Sequence, residues 1–305
     1  APPAAGAPAS ETLVASLYKT LDEGQRQKLC FAFDHPLRSA VDNNWQITKQ
    51  SIAEALKPDQ QAMVREIFRG IHSEEYAQRV FDQVEHDGGG PGSFADDCAI
   101  ALFGEPGETG DGAKSKFEFV LTGRHCTRRC DGNSVAGAAF GGPIFYGHAA
   151  DGFNEKADHP GNAYWFQAVR ANEVFKALDG KQRALALRDD PRKEQGLKTV
   201  ELSGKADGLH GIPASELSAD QKDLVRKVLA DLLAPFRKAD ADEAMKLVEA
   251  GGFDRLHMAF YKNMDVGGDG VWDVWQIEGP SMRWYFRGTP HVHAWVHIRE
   301  PGVGA

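Results

Sequence analysis

His291-Val-His-Ala-Trp-Val-His297 places a ring-bearing polar or aromatic residue at every second position, with small or branched apolar residues between. Successive side chains of a strand project to opposite faces. On a strand, His291, His293, Trp295 and His297 share one face, and Val292, Ala294 and Val296 share the other. The segments just upstream carry a related signature. Val271–Ile277 and Met282–Arg287 are rich in β-branched and aromatic residues, and Gly279-Pro280 and Gly288-Thr289-Pro290 separate the three runs. This predicts an antiparallel meander. Lys116–Arg129 and Ile144–Tyr146 predict further strands in the middle of the chain.

The remainder reads as helix. Leu21-Asp22-x-x-Gln25, Leu56-Lys57-x-x-Gln60, Leu178-Asp179-x-x-Gln182 and Leu217-Ser218-x-x-Gln221 each precede an amphipathic run. An Asp or Ser at the cap accepts from the backbone N–H three residues on, and the Gln amide reaches back. Lys57 cannot cap in this way, but Pro58 suits the first helical position. The irregular spacing predicts four helix entries and no solenoid. Met63, Val64, Ile67, Phe68 and Ile71, then Leu224, Val225, Val228, Leu229 and Leu232, recur at helical spacing. Ser10–Leu21 and Phe94–Phe103 also read as helices, and Gly88–Gly92 and Gly104–Ala113 as Gly-rich loops. Helices, strands, helices and a terminal meander predict an α+β fold in which helices pack on a mainly antiparallel sheet. No low-complexity linker divides the chain. The expectation is one domain over 11–305 after a flexible segment, 1–10.

The chain has 305 residues, of which 42% are hydrophobic and 26% charged, enough for a core and too mixed for wholesale disorder. Its net charge of −9 argues against a generic nucleic-acid or anionic-membrane binder. The longest apolar stretches, such as Ala99–Phe103, are too short to span a bilayer. The Pro/Ala-rich opening Ala1–Ser10 predicts an exported protein, periplasmic or extracellular. Cys30, Cys98, Cys126 and Cys130 would then form disulfides by default.

His291 and His293 would stand roughly 6.5–7 Å apart along a strand, a spacing from which two imidazoles converge on one ion. The alternative is a pair of partly buried, hydrogen-bonded histidines. His125 lies in Gly123-Arg-His-Cys-Thr-Arg-Arg-Cys130. If straight, this segment puts His125, Thr127 and Arg129 on one face and Cys126, Arg128 and Cys130 on the other. Cys126 and Cys130 would sit about 13 Å apart, beyond disulfide reach of each other. Either they pair with Cys30 and Cys98 or the segment is not straight; the further alternatives are thiolate ligands of a soft metal such as copper and free buried thiols. Arg124, Arg128 and Arg129 form a cationic spot suited to a carboxylate or phosphate, or a set of ion pairs. Asp265–Gly270 fails the calcium-loop pattern, with Gly267 and Gln276 where carboxylates are required. No Walker loop, GxSxG, HExxH or post-strand GxGxxG occurs.

From about residue 15 onward the chain resembles the bacterial family called domain of unknown function 3500. The resemblance rests on Gly123-x-His125, Phe140-Gly-Gly-Pro143-x-Phe145-Tyr146-Gly147 and the Gly211-Ile212…Leu217…Gln221 helix entry. It also rests on Gln276-Ile277-x-Gly279-Pro280 and on His291-x-His293 followed by Arg299. The family supplies no reaction. It does imply that His125, His291 and His293 belong to a shared pattern. Cys126, Cys130, His148 and His297 depart from it.

These readings converge on a metal held by His125, His291 and His293, with copper favoured and zinc the alternative. Cys126, Cys130 and His148 are further candidate ligands, and Tyr146, Arg124 and Arg129 are candidate catalytic groups. The expected activity is a metal-dependent oxidation of a small, possibly anionic, molecule. Zinc-dependent hydrolysis and metal storage are the alternatives.

Overall fold

The four Leu-x-x-x-Gln patterns start four helices. Asp22, Asp179 and Ser218 each accept the backbone N–H of the Gln three residues on, and each Gln side chain bonds back to the cap. At the fourth, Gln60 Oε1 accepts from Lys57 N at 2.9 Å and Pro58 opens the helix. A fifth box, Ser51 with Glu54, starts a single extra turn. The structure is a computed structural model that describes residues 9–107, 115–148, 163–262 and 272–302. The Asp265–Gly270 turn, Val271, most of the Gly104–Ala113 loop and all but the end of Ala1–Ser10 lie outside those residues.

Among the described residues the chain forms ten α-helices and eleven strands, mostly antiparallel. It is an α+β protein. Its contacts divide it into two compact units, Ala1–Phe145 with Pro235–Asp240, and Tyr146–Ala234 with Ala241–Ala305. Unit 1 runs α1 (Ser10–Thr20), α2 (Glu23–Leu29), β1 (Cys30–Phe31), α3 (Ile52–Ala55), α4 (Pro58–Gly70), α5 (Ala77–Asp87) and α6 (Ser93–Asp97). Then come β2 (Ala99–Gly104), β3 (Phe117–Gly123) and β4 (Cys126–Cys130), and β5 (Ile144–His148) carries the chain into unit 2. Unit 2 continues with α7 (Trp165–Ala177), α8 (Gly180–Ala186), β6 (Leu187–Arg188), β7 (Ile212–Pro213), α9 (Ala219–Leu233) and α10 (Lys238–Gly251). The first turn of α10 counts with unit 1. The meander β8 (His257–Tyr261), β9 (Val274–Glu278), β10 (Met282–Arg287) and β11 (Val292–Ile298) closes the chain.

Two sequence readings change. Phe94–Phe103 is not one helix, because α6 ends at Asp97 and Ala99–Phe103 is strand. That apolar run is at most 1% exposed, the mark of a strand covered on both faces, which periodicity alone cannot separate from helix. Lys116–Arg129 is likewise not one strand. It turns at Arg124-His125, where His125 adopts φ 54°.

The two units share several elements of their order. In each, two helices lead into a short strand (β1, β6) that pairs parallel with the first strand of an antiparallel meander (β2, β8). In each, the first helix packs on the helix that the second cap glutamine opens, α1 on α4 and α7 on α9. The cap glutamines repeat the correspondence atom for atom. Gln25 Nε2 donates to Gln60 Oε1 and to the Ala55 carbonyl, each at 2.8 Å, while Gln60 Nε2 donates to the Thr20 carbonyl at 3.1 Å. Gln182 Nε2 donates to Gln221 Oε1 and the Glu216 carbonyl at 2.9 Å, and Gln221 Nε2 to the Ala177 carbonyl at 2.8 Å. The four helix entries are two copies of a pair.

Register sorts the side chains of unit 2 into two unlike faces. Met258, Phe260, Trp275, Ile277, Trp284 and Phe286 lie with the β11 valines on the face that α7 covers, where Phe175 meets Phe260 at 5.1 Å. Tyr261, Gln276, Glu278, Arg283, Tyr285, Arg287, His293, Trp295 and His297 occupy the other. That second face is buried too, under the irregular segment 189–211. Tyr285 donates to the Arg192 carbonyl at 3.3 Å, Arg283 to the Thr199 carbonyl at 3.3 Å, and His297 Nδ1 to the Val200 carbonyl at 3.1 Å. In unit 1, residues 32–50 cover the corresponding face, with Ile47 N donating to Thr122 Oγ1 and Trp45 Nε1 to Thr127 Oγ1, both at 2.9 Å.

The buried cap glutamines satisfy backbone groups of a second helix end as well as their own. Gln60→Ala and Gln221→Ala should each lower unfolding stability by about 2 kcal/mol in urea titrations, against under about 0.5 kcal/mol for exposed Gln27→Ala. Equal effects at all three sites would remove the role assigned to the paired caps.

Candidate functional site

His293 sits inside β11 on the polar face of unit 2 and is 4% exposed. Its Nδ1 lies 2.7 Å from Glu194 Oε2, which can only accept, so Nδ1 carries the proton. In the neutral ring Nε2 is then the lone-pair nitrogen. That atom lies 2.9 Å from Nε2 of His291, with the two rings nearly edge to face. Two imidazoles bound at 2.0–2.1 Å to a tetrahedral ion would have nitrogens roughly 3.3 Å apart. The pair is within half an ångström or so of a ligating edge.

Glu194 comes from the covering segment and is held on two sides. Its second oxygen lies 3.0 Å from Arg287 Nε, and Arg287 pairs with His293 across the β10–β11 ladder. Burial pushes the Glu194 carboxyl up, but the hydrogen bond from His293 and the charge of Arg287 act against it, and the group stays below its ordinary value. Deeper in the same face, Glu278 takes Arg192 and Arg283, and Gln276 joins Arg192 at 2.6 Å and the Tyr261 hydroxyl at 3.0 Å. Burial pushes Tyr261 up to about 12, so its hydroxyl stays protonated at neutral pH.

His125 occupies the β3–β4 turn of unit 1 and is 5% exposed. Its backbone N–H donates to the Asn43 carbonyl at 2.7 Å, which holds the left-handed turn. Its Nδ1 lies 2.9 Å from Asp87 Oδ2 at the end of α5, and Gln83 Nε2 holds that same oxygen at 2.7 Å. Nδ1 again carries the proton and Nε2 the lone pair. His125 and His293 are prepared alike, each by a carboxylate distant in sequence, Asp87 buried and Glu194 half-buried.

The other expected site residues fall elsewhere. The three arginines do not form one spot. Arg124 is exposed at the turn, while Arg128 and Arg129 alternate to opposite faces of β4. Arg128 Nε donates to His72 Nε2 at 3.1 Å. Arg129 lies under residues 32–50, bonded to Glu118, the Pro143 carbonyl and the carbonyls of Arg38 and Ala40. Tyr146 is 1% exposed, accepts from Trp284 Nε1 at 3.0 Å and donates to Gln167 Oε1 at 2.5 Å, so its hydroxyl is engaged within the core. His148 ends β5 fully buried. All four cysteines are free thiols in place of the expected disulfides. Burial pushes Cys126 up to about 11, and Cys98 and Cys130 also rise, so these groups are thiols and not thiolates.

Sequence reasoning missed Asp87, Gln83 and Glu194. Only the Gln276-x-Glu278 and Arg283-x-Tyr285-x-Arg287 alternations, the same period-two signal as in β11, could have exposed the rest of the polar face.

A family model described as a protein of unknown function, DUF3500, matches residues 5–301. The chain belongs to this family. The resemblance read from its glycine and histidine motifs is thereby established. Neither a curated protein nor a solved structure matches the chain.

His72 offers a check on the unit 1 interior beside this region. Its Nδ1 donates to the Phe68 carbonyl at 2.7 Å and its Nε2 accepts from Arg128, which requires the neutral ring. Burial and the Arg128 charge push it from 6.5 down to about 3. Above pH 6.5 the group contributes no pH dependence, because folded and unfolded chains are both neutral there. Below that pH the unfolded chain takes up a proton that the folded chain refuses, so stability falls with pH by about 1.4 kcal/mol per unit. Between pH 6.5 and 5 the protein should lose about 2 kcal/mol more stability than His72→Gln does in urea titrations. An equal loss in the variant would exclude the neutral, buried His72.

Proposed function

We propose that this protein binds one transition-metal ion through the imidazoles of His125, His291 and His293, and that it is a metal-dependent enzyme acting on a small molecule. One observation carries the reading. His125 and His293 each give Nδ1–H to a carboxylate, buried Asp87 and half-buried Glu194, which fixes the tautomer, orients the ring and leaves Nε2 as the donor atom. Carboxylate–imidazole–metal relays are built in this way, and the carboxylate raises the basicity of the ligand. A core histidine that merely needed satisfaction would be served equally by a backbone carbonyl, as His297 is.

Copper is the first ion to test and zinc the second, since imidazole nitrogen suits both. With copper the reaction class is oxidation of a small molecule, and with zinc it is hydrolysis by a metal-activated water. Three protein ligands with a fourth position open favour turnover over storage. Export to the periplasm or beyond is a separate proposal, to be checked by cell fractionation.

Protein purified without added metal and then titrated with Cu²⁺ or Zn²⁺ should take up about one equivalent, as in sites of this type. His125→Ala, His291→Ala and His293→Ala should each abolish stoichiometric uptake. Retention unchanged by these variants, or no uptake by the unaltered protein, would overturn the reading. Glu194→Gln and Asp87→Asn keep every ligand but lose the carboxylate partner. Each should weaken the ion about 10–100-fold, read by chelator competition, while leaving the metal-free melting temperature within a few degrees.

A further inference from the structure

We propose that unit 1 carries a binding site for a small amphipathic anion, built from residues that the metal reading does not use. A cleft of about 610 Å³ is lined by Lys28, Leu29 and Phe31, at the end of α2 and in β1, and by residues 46–50 of the covering segment. Close-packed interiors hold few voids larger than a water molecule, whereas clefts that take small ligands run from about 300 to 1,000 Å³.

Its lining divides by chemistry. Leu29, Phe31 and Ile47 supply an apolar floor. The floor is anchored, because Phe31 stacks on Phe103 at 5.5 Å and Ile47 packs in the core cluster with Ala101, Phe103 and Val120. An apolar body placed there meets a surface that need not rearrange.

The charge is of one sign. Among the described residues Lys28 and Lys49 line the cleft and no acidic residue does. Among the described residues neither lysine makes an ion pair, although the chain carries 44 acidic residues against 35 basic. Two cations without carboxylate partners beside an apolar floor select an anionic head on an apolar tail.

Gln50 supplies an independent observation. It lines the same cleft, and its Oε1 is buried with no hydrogen-bond partner among the described residues. A buried amide oxygen left without a donor is destabilising, and such atoms recur where a ligand or an ordered water completes the bond. The class of ligand that meets the first two features is a medium-chain or aromatic carboxylate, and a water that donates both to Gln50 Oε1 and to that carboxylate meets the third.

Isothermal titration of the full-length chain tests this with decanoate, decylamine and decanol, all below their aggregation limits. Decanoate should bind at one site, about tenfold or more tighter than either analogue. Lys28→Gln/Lys49→Gln should remove that preference without moving the melting temperature of the unliganded chain. A photoreactive decanoate should label the peptide spanning residues 28–50. Equal binding of the three probes, unchanged decanoate binding in the double variant, labelling elsewhere, or no binding at all would each overturn the site. Metal uptake is measured on other residues, so failure of one reading leaves the other standing.

Discussion

A carboxylate buried between two arginines organises the second face of the sheet in each unit. In unit 1 it is Glu118, 0% exposed, held by Arg129 from the next strand and by Arg38 from the covering segment. In unit 2 it is Glu278, 1% exposed, held by Arg283 from the next strand and by Arg192 from the covering segment. An ionised carboxylate taken from water is costly unless it is paired and hydrogen-bonded, and losing one partner leaves a buried charge uncompensated. The covering segments have little regular backbone structure of their own. They are held where these charges and the neighbouring carbonyls require them.

The candidate site depends on that arrangement. Glu194 lies two residues beyond Arg192, so the clamp on Glu278 also delivers a carboxylate to His293 Nδ1. A segment anchored by a charge network moves less than one resting on solvent, and imidazoles that are to share an ion need fixed rings. The polar face thus combines a structural interior, around Glu278, with a histidine pair at its margin, His291 and His293. The apolar face opposite does ordinary packing.

Duplication gives a second view of the same design. Both units use paired cap glutamines to bind two helix entries together, and both use an Arg–Glu–Arg cluster under an irregular cover. What differs is the filling. Where unit 1 carries Thr122, Thr127 and Val120 beneath its cover, unit 2 carries glutamine, tyrosine, tryptophan and histidine. The same scaffold supports a cleft with an apolar floor in one unit and a histidine-bearing polar face in the other.

The residues themselves, read in order, determined the β11 alternation, the four helix entries, the α+β class and the family. Each of these is a short-range property, set by the period of a strand or by a cap three residues from its partner. His291-x-His293 was legible for the same reason. What only the tertiary structure decided is how those groups are used. Glu194 reaches His293 across 99 residues and Asp87 reaches His125 across 38, and nothing local in the chain announces either partner. The arginine cluster looked like one spot in sequence, yet the alternation of β4 sends Arg128 and Arg129 to opposite faces and the turn leaves Arg124 in solvent. Burial makes that choice, because it leaves each polar group the nearest partner that folding brings to it, whatever their distance along the chain.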